Sequence, residues 1–279
     1  MTGYIGEKMK KLLLFIMLAM LGTTLFAYSD SDMDGVVDDQ DKCPNTPFTD
    51  LVDINGCSKQ SLISPHHFDI IVGANYTGSN YASLDQTDIY SSSLQVDYYY
   101  KNFSLQASTS YYKADGDGYS ETGLNDSFIG ASYQLKPTKE LSVRIGAGIL
   151  LPTYDTSLNN NNTDYTASLN VSYTLGKMNL FGGYIYTMIQ DDDIAGTVVY
   201  QNTNALSGGI GYYATNKLYL SGAYNISDSI YAGIEKIKTV SAYGNYSITQ
   251  HWFTTFSYAY GLSDSASDNA VSLKLGYYF

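Results

Sequence analysis

The chemistry-bearing residues of this chain crowd into one short acidic stretch. Asp30, Asp32 and Asp34 fall at positions 1, 3 and 5 of a twelve-residue loop, with Gly35 at 6, Val36 at 7, Asp38 at 9 and Asp41 at 12. Alternate carboxylates on a sharply turning chain supply hard oxygens, and calcium takes six to eight of these. Val36 would add its backbone carbonyl. Asp at the last position closes round an ion less fully than Glu, so the affinity expected is that of extracellular modules, ~10⁻⁴–10⁻³ M. Asp53 and Asn55 form a second, weaker donor pair. A solvated acidic linker is the plain alternative, but acids scattered at random rarely meet this spacing with Gly at the turn. Cys43 and Cys57 are the only cysteines, and an isolated pair in an exported chain reads as a disulfide. A segment so short cannot bury a core, so metal and disulfide would have to hold it together.

With the following Cys43-Pro-Asn-Thr-Pro47 and Val52-Asp-Ile-Asn-Gly-Cys57, this stretch resembles a thrombospondin type 3 repeat, a calcium-dependent coil of secreted proteins. OmpA-type outer-membrane proteins carry such repeats beyond their barrel. Here the motif, about residues 30–57, comes first and no peptidoglycan-binding domain follows.

Lys8, Lys10 and Lys11 precede the apolar run 12–21, and small and polar residues lead to Ala27. This is the layout of a secretory signal peptide, expected over 1–27. The run falls well short of the ~20 residues of a spanning helix. Without that leader the chain holds 12 basic and 26 acidic residues, a net charge of −14, which excludes a nucleic-acid partner. Only 15% of residues are charged, whereas Tyr numbers 29 against 10 Phe. Tyr joins an apolar ring to a hydroxyl that seeks water, and so suits a lipid–water boundary better than a dry core.

The remaining chain alternates. Leu105, Ala107, Thr109 and Tyr111 share one face, Ser104, Gln106, Ser108 and Ser110 the other, and 165–175 alternates without a fault. Period two is the strand signature. An apolar outer face and a face of small polar residues suit lipid outside and a wet lumen inside. Twelve strands are expected near 67–78, 89–100, 103–114, 126–136, 140–151, 164–175, 178–189, 204–214, 217–227, 236–248, 251–262 and 269–279, with eight plus extra elements, or ten, left open. Short connections (101–102, 137–139, 176–177, 215–216, 249–250) alternate with long polar ones around 115–118, 159–162, 191–193 and 263–265. Bacterial outer-membrane barrels have tight periplasmic turns and larger outside loops. The fold expected is therefore an all-β, antiparallel, up-and-down transmembrane barrel over 67–279. A calcium module over 28–58 and a linker over 59–66 would precede it, with both ends of the mature chain periplasmic.

Val271, Leu273, Leu275, Tyr277 and Phe279 share a face, and this ending resembles the C-terminal strand signal read by the barrel assembly machinery, with Phe279 as the signal residue. Tyr98, Tyr100, Tyr173, Tyr212, Trp252 and Tyr277 lie near strand ends, where aromatic girdles meet lipid and lipopolysaccharide. No catalytic residue is expected. His66, His67 and His251 lack a Ser placed to pair with them, no G-x-S-x-G elbow occurs, and Asp191 to Asp193 read as a solvated loop. The inward set is mainly Ser, Gly, Thr, Asn and Gln, with four charged exceptions: Asp69, Asp97, Arg144 and Lys274. These could select permeating ions or pair with one another to stiffen a narrow barrel. Function reads as a passive porin-like channel for small polar solutes or ions. The alternative is a structural or surface-interaction protein whose acidic loops hold lipopolysaccharide-bridging cations.

Overall fold

The computed structural model describes residues 66–80, 86–154 and 161–279, and ahead of them Asp32, Val36, Asp38, Gln40, Asp41, Lys42, Cys43, Thr46, Val52, Asn55 and Cys57. The signal peptide, most of the linker, and Asp30, Asp34 and Asp53 lie outside the described residues. The chain divides into two compact units, Met1–Ser61 and Leu62–Phe279. In the first, a disulfide joins Cys43 to Cys57, with Cα atoms 4.9 Å apart. The Lys42 amide donates to the Asn55 carbonyl at 2.8 Å, so backbone and sulfur clamp the same two strips of chain.

The second unit is all β among the described residues. Its strands are β1 (His66–Ser79), β2 (Thr87–Tyr100), β3 (Phe103–Gly116), β4 (Tyr119–Leu124), β5 (Ser127–Leu135), β6 (Leu141–Leu151) and β7 (Asp164–Leu175). They continue as β8 (Met178–Met188), β9 (Thr203–Tyr213), β10 (Leu218–Ser227), β11 (Ile237–Ser247), β12 (Trp252–Gly261) and β13 (Asn269–Tyr278). Neighbours pair antiparallel in chain order, and β1 pairs with β13 from Asp69↔Tyr278 to Gly78↔Asn269, which closes the ring. Closure removes the unpaired edges that an open sheet would present to lipid.

Twelve strands form the ring. The thirteenth, β4, pairs only with β3, from Tyr111↔Leu124 to Gly116↔Tyr119. The expectation of a plain polar loop at 115–118 is corrected here: the chain makes a hairpin that extends β3 beyond the barrel. Asp117-Gly118 turns it, with Gly118 at φ 72°, a conformation open to glycine. β3 then divides its partners, pairing with β5 over Phe103–Ser108 and with β4 over Tyr111–Gly116.

The distribution of apolar side chains is the reverse of a soluble protein's. Ile71, Tyr112, Ala114 and Ala266 are the buried hydrophobic residues among those described. In contrast, Val72, Leu94, Leu105, Ile129, Ile145, Leu206, Ile210 and Leu273 stand at 42–59% exposure on the outer faces of their strands. A soluble sandwich would spend such residues on its core. Here they form a belt facing away from the lumen, as lipid requires. Exposed aromatics border it at both ends: Tyr100, Tyr133, Tyr173, Tyr212, Tyr246 and Trp252 near the short turns, Tyr90, Tyr111, Tyr165, Tyr224, Tyr258 and Tyr260 near the long loops. The start of β1 at His66 and the end of β13 at Tyr278 lie at the short-turn end.

Candidate functional site

Alternation along each strand decides what the lumen sees. On β1 and β2 the inward set includes Asp69, Gly73, Ser93, Gln95, Asp97 and Tyr99, and Asp69 stands directly opposite Asp97 in the register. Like charges in opposed positions repel unless water or other groups absorb the charge. Gln95 Nε2 donates to Asp97 Oδ2 at 2.8 Å, and Asp97 is only 5% exposed. Asp69 Oδ1 is buried with no hydrogen-bond partner. Lys274 of β13 lies opposite Gly73 and Thr255, and Arg144 of β6 lies opposite Gln134 and Asn170.

These four charges share connected space. Asp97 and Arg144 line a cavity of about 250 Å³. Asp69, Asp97 and Lys274 line another of about 340 Å³, across from Tyr243 and Phe253. No ion pair joins any of them. Among the described residues the ion pairs are Lys113–Asp115, Lys236–Asp228 and Lys238–Glu235, on the hairpin and the long loops.

Inward aromatics were not anticipated by a wall of small polar residues. Phe128, Phe181, Tyr219, Tyr243 and Phe253 all line lumen cavities. Several lie flat because glycine is beneath them: a Cβ on Gly276 would collide with the Phe253 ring, and one on Gly130 or Gly148 with Phe128. The signal was available, since Phe253 and Thr255 share a face by period two, but an aromatic there also reads as core.

At the long-loop end, carboxylates act as clasps between neighbouring connections. Asp126 Oδ1 accepts the Tyr154 amide at 3.0 Å, Asp164 Oδ1 the Gln190 amide at 2.7 Å, and Asp228 Oδ2 the Asn204 amide at 3.0 Å. Burial pushes the Asp126 carboxyl above the usual carboxylate range, and nearby Asp191 adds to the rise. Asp228 is held down at about 2 by hydrogen bonds from Lys236 and Asn204. In the acidic run, Asp191 Oδ1 accepts the Asn162 amide and Asp193 Oδ1 the Tyr200 amide. The three histidines stack on aromatics at the short-turn rim: His66 on Tyr98 and Tyr100, His67 on Tyr278, and His251 on Tyr277. There the Phe279 amide donates to the Phe68 carbonyl at 2.9 Å, and its ring meets Tyr277 edge-on at 4.7 Å.

In the first unit, the Thr46 amide donates to Asp32 Oδ2 at 2.6 Å and the Cys43 amide to Asp41 Oδ1 at 2.7 Å. The other oxygen of Asp41, Oδ2, is buried without a hydrogen-bond partner. An orphaned carboxylate oxygen of this kind suits a hard cation; of the other expected ligands, Asp32, Val36, Asp38 and Asn55 are among the described residues. Among the described residues alone, no three His, Cys, Asp or Glu side chains cluster as a metal site. Asp30 and Asp34 are not among them.

No protein-family model and no curated protein matches the sequence. The fold does have solved counterparts. An outer-membrane channel from Pseudomonas putida F1 superposes with a TM-score of 0.63 at 12% identity, over 82% of this chain and 100% of that one. The NanC porin gives 0.54 at 16% identity, over 75% and 98%. The KdgM porin gives 0.50 at 13%, over 76% and 99%. The chain thus has the fold of outer-membrane β-barrel channels.

Proposed function

We propose that this protein is a passive channel of the bacterial outer membrane for small polar solutes or ions, with a calcium-binding N-terminal module of the thrombospondin type 3 kind. The observation that carries the channel reading is that Asp69, Asp97, Arg144 and Lys274 face common lumen cavities without pairing. Charges placed for stiffness in a dry interior need partners within reach, because an isolated buried charge is too costly to keep. Asp97 is buried and held by Gln95, but Arg144 is exposed and Lys274 half-exposed on the inner wall, with no ion-pair partner among the described residues. Charges left apart in this way need water around them, and a watered lumen passes solutes. The similarity to solved channels supports the same reading. Tight turns are the periplasmic side in such barrels, so the segment ahead of β1 and the end at Phe279 belong to the periplasm in this reading. Outer-membrane lipid, lipopolysaccharide and the assembly machinery are the partners it implies.

Proteoliposome swelling tests the channel. Swelling should slow as solute size rises; well-folded protein that supports none would favour the structural or surface-interaction alternative. For the module, Asp30, Asp32, Asp34, Asp38 and Asp41 with the Val36 carbonyl would hold calcium, and the ion would tie the acidic loop to the disulfide-clamped coil. Replacing Asp32 and Asp34 with Ala should abolish calcium-dependent protection of residues 28–57 from proteolysis. Protection that is unchanged would remove the calcium reading.

A further inference from the structure

The inner wall is divided between two chemistries. The four expected lumen charges sit on β13, β1, β2 and β6, and Asp126, just ahead of β5, shares a further cavity with Lys274, whereas β8 to β12 turn no charged side chain inward. Lys238 is the one charged residue within those five strands, and it pairs with Glu235 beside the loop. This neutral arc lines a cavity of about 370 Å³ with the rings of Phe181, Tyr219 and Tyr243 and the polar groups of Ser207, Asn225 and Ser241. Tyr243 also lines the cavity that holds Asp69, Asp97 and Lys274, so the aromatic arc and the charged arc face the same passage.

The rings of Phe181 and Tyr219 lie over the wall instead of projecting to the axis. Gly209 lies beneath Phe181 and Gly211 beneath Tyr219, where any Cβ would collide with the ring. Tyr219 is anchored by its hydroxyl, which donates to Asn179 Oδ1 at 3.3 Å, and its centroid is 4.8 Å from Tyr213 and 6.4 Å from Tyr243. A ring held flat against a wall offers its other face to the passage. Between these faces the Ser207 and Ser221 hydroxyls can both donate and accept, and Asn225, whose Nδ2 donates to Thr239 and Ser241, offers its carbonyl oxygen.

A charged solute finds no counter-charge on this arc. The Asn225 amide nitrogen is already bonded, but a bare hydrocarbon would still cover the Ser207 and Ser221 hydroxyls and the Asn225 carbonyl oxygen without satisfying them, which is costly. A ring with an apolar face and a hydroxylated edge satisfies both. We propose that this arc is a stacking path for neutral, hydroxyl-bearing ring solutes, the chemistry of free mono- and disaccharides. The inference names a solute class for the channel proposed above and rests on that reading.

The test uses the full chain in planar bilayers with maltose added across the millimolar range. Maltose should interrupt the open-channel current, and Tyr243→Ala and Tyr219→Ala should each weaken this by about three- to tenfold while conductance persists. Tyr243→Phe, which keeps the ring, should retain most of the effect. Intact conductance that maltose does not touch, or equal interruption in wild type and both Ala variants, would overturn the proposal. If the protein conducts nothing, the channel reading fails, and saturation-transfer NMR of maltose on the detergent-held protein then decides the site. A maltose signal that Tyr243→Ala weakens upholds the site; a signal that is missing, or that the variant leaves unchanged, refutes it.

Discussion

Asp97 and Arg144 line one cavity with opposite signs and no ion pair between them, so neutralising either leaves the field of the other uncompensated in the passage. One unit charge several ångströms from an ion in water changes its energy by roughly RT, a factor of about two to three. Asp97→Asn should therefore shift the cation-to-anion permeability ratio towards anions by about that factor, and Arg144→Gln towards cations, as read from reversal potentials under a salt gradient. No shift from either would mean that these side chains do not border the conducting path. At the rim, Asp228 is held at about 2 by Lys236 and Asn204, below the ~3.9 of an unfolded Asp. A depressed carboxyl contributes stability above its unfolded value, and that contribution is lost as pH falls from about 4 to 2. An NMR titration should find the Asp228 midpoint near 2, moving towards the ordinary range in Lys236→Ala. That these charges face inward was legible from period two. Whether they paired was not, because the distance between Arg144 and Asp97 depends on strands three places apart round the ring.

Among the elements, β4 was hidden in the sequence by its shortness and by the Asp115-Gly-Asp-Gly118 run, which reads as loop. Asp117-Gly118 between polar–apolar alternations is a hairpin signal, and the alternation on either side was the clue. Since β4 pairs only with β3, and residues 113–115 of β3 also pair with β2, removing residues 116–122 should leave the barrel folded, with the heat-dependent gel mobility of an intact barrel. Loss of that mobility would show that the hairpin takes part in closure. The glycine seats under inward rings were invisible in the sequence, because a glycine gains its meaning from a neighbour across the ladder. Gly276 lies opposite Phe253, and Gly276→Val should swing that ring into the passage. Single-channel conductance should fall while folding persists; an unchanged conductance would place Phe253 away from the narrow part of the lumen.

For the whole molecule, the ring of twelve strands followed from counting alternating segments between short and long connections, and closure through β1 and β13 is what the sequence could only imply. The belt of exposed Leu, Ile and Val shows why the alternation had to be read inside out. The N-terminal unit depends on different forces. Its disulfide closes a loop at a sequence separation of 14, worth about 3 kcal/mol in the chain-entropy picture. Reductant should therefore expose residues 28–57 to protease while the barrel stays resistant. Simultaneous loss of both would mean that the two units fold as one. The acid spacing of the proposed calcium loop was plain in the sequence, and the orphaned oxygen of Asp41 is the structural observation offered for an ion there.

The central claim is that unpaired charges line an open, watered lumen. Single-channel recording of the folded full-length protein in planar bilayers tests it most directly. Discrete, repeated conductance steps are the result expected. Silent bilayers with protein whose barrel is demonstrably folded would contradict it.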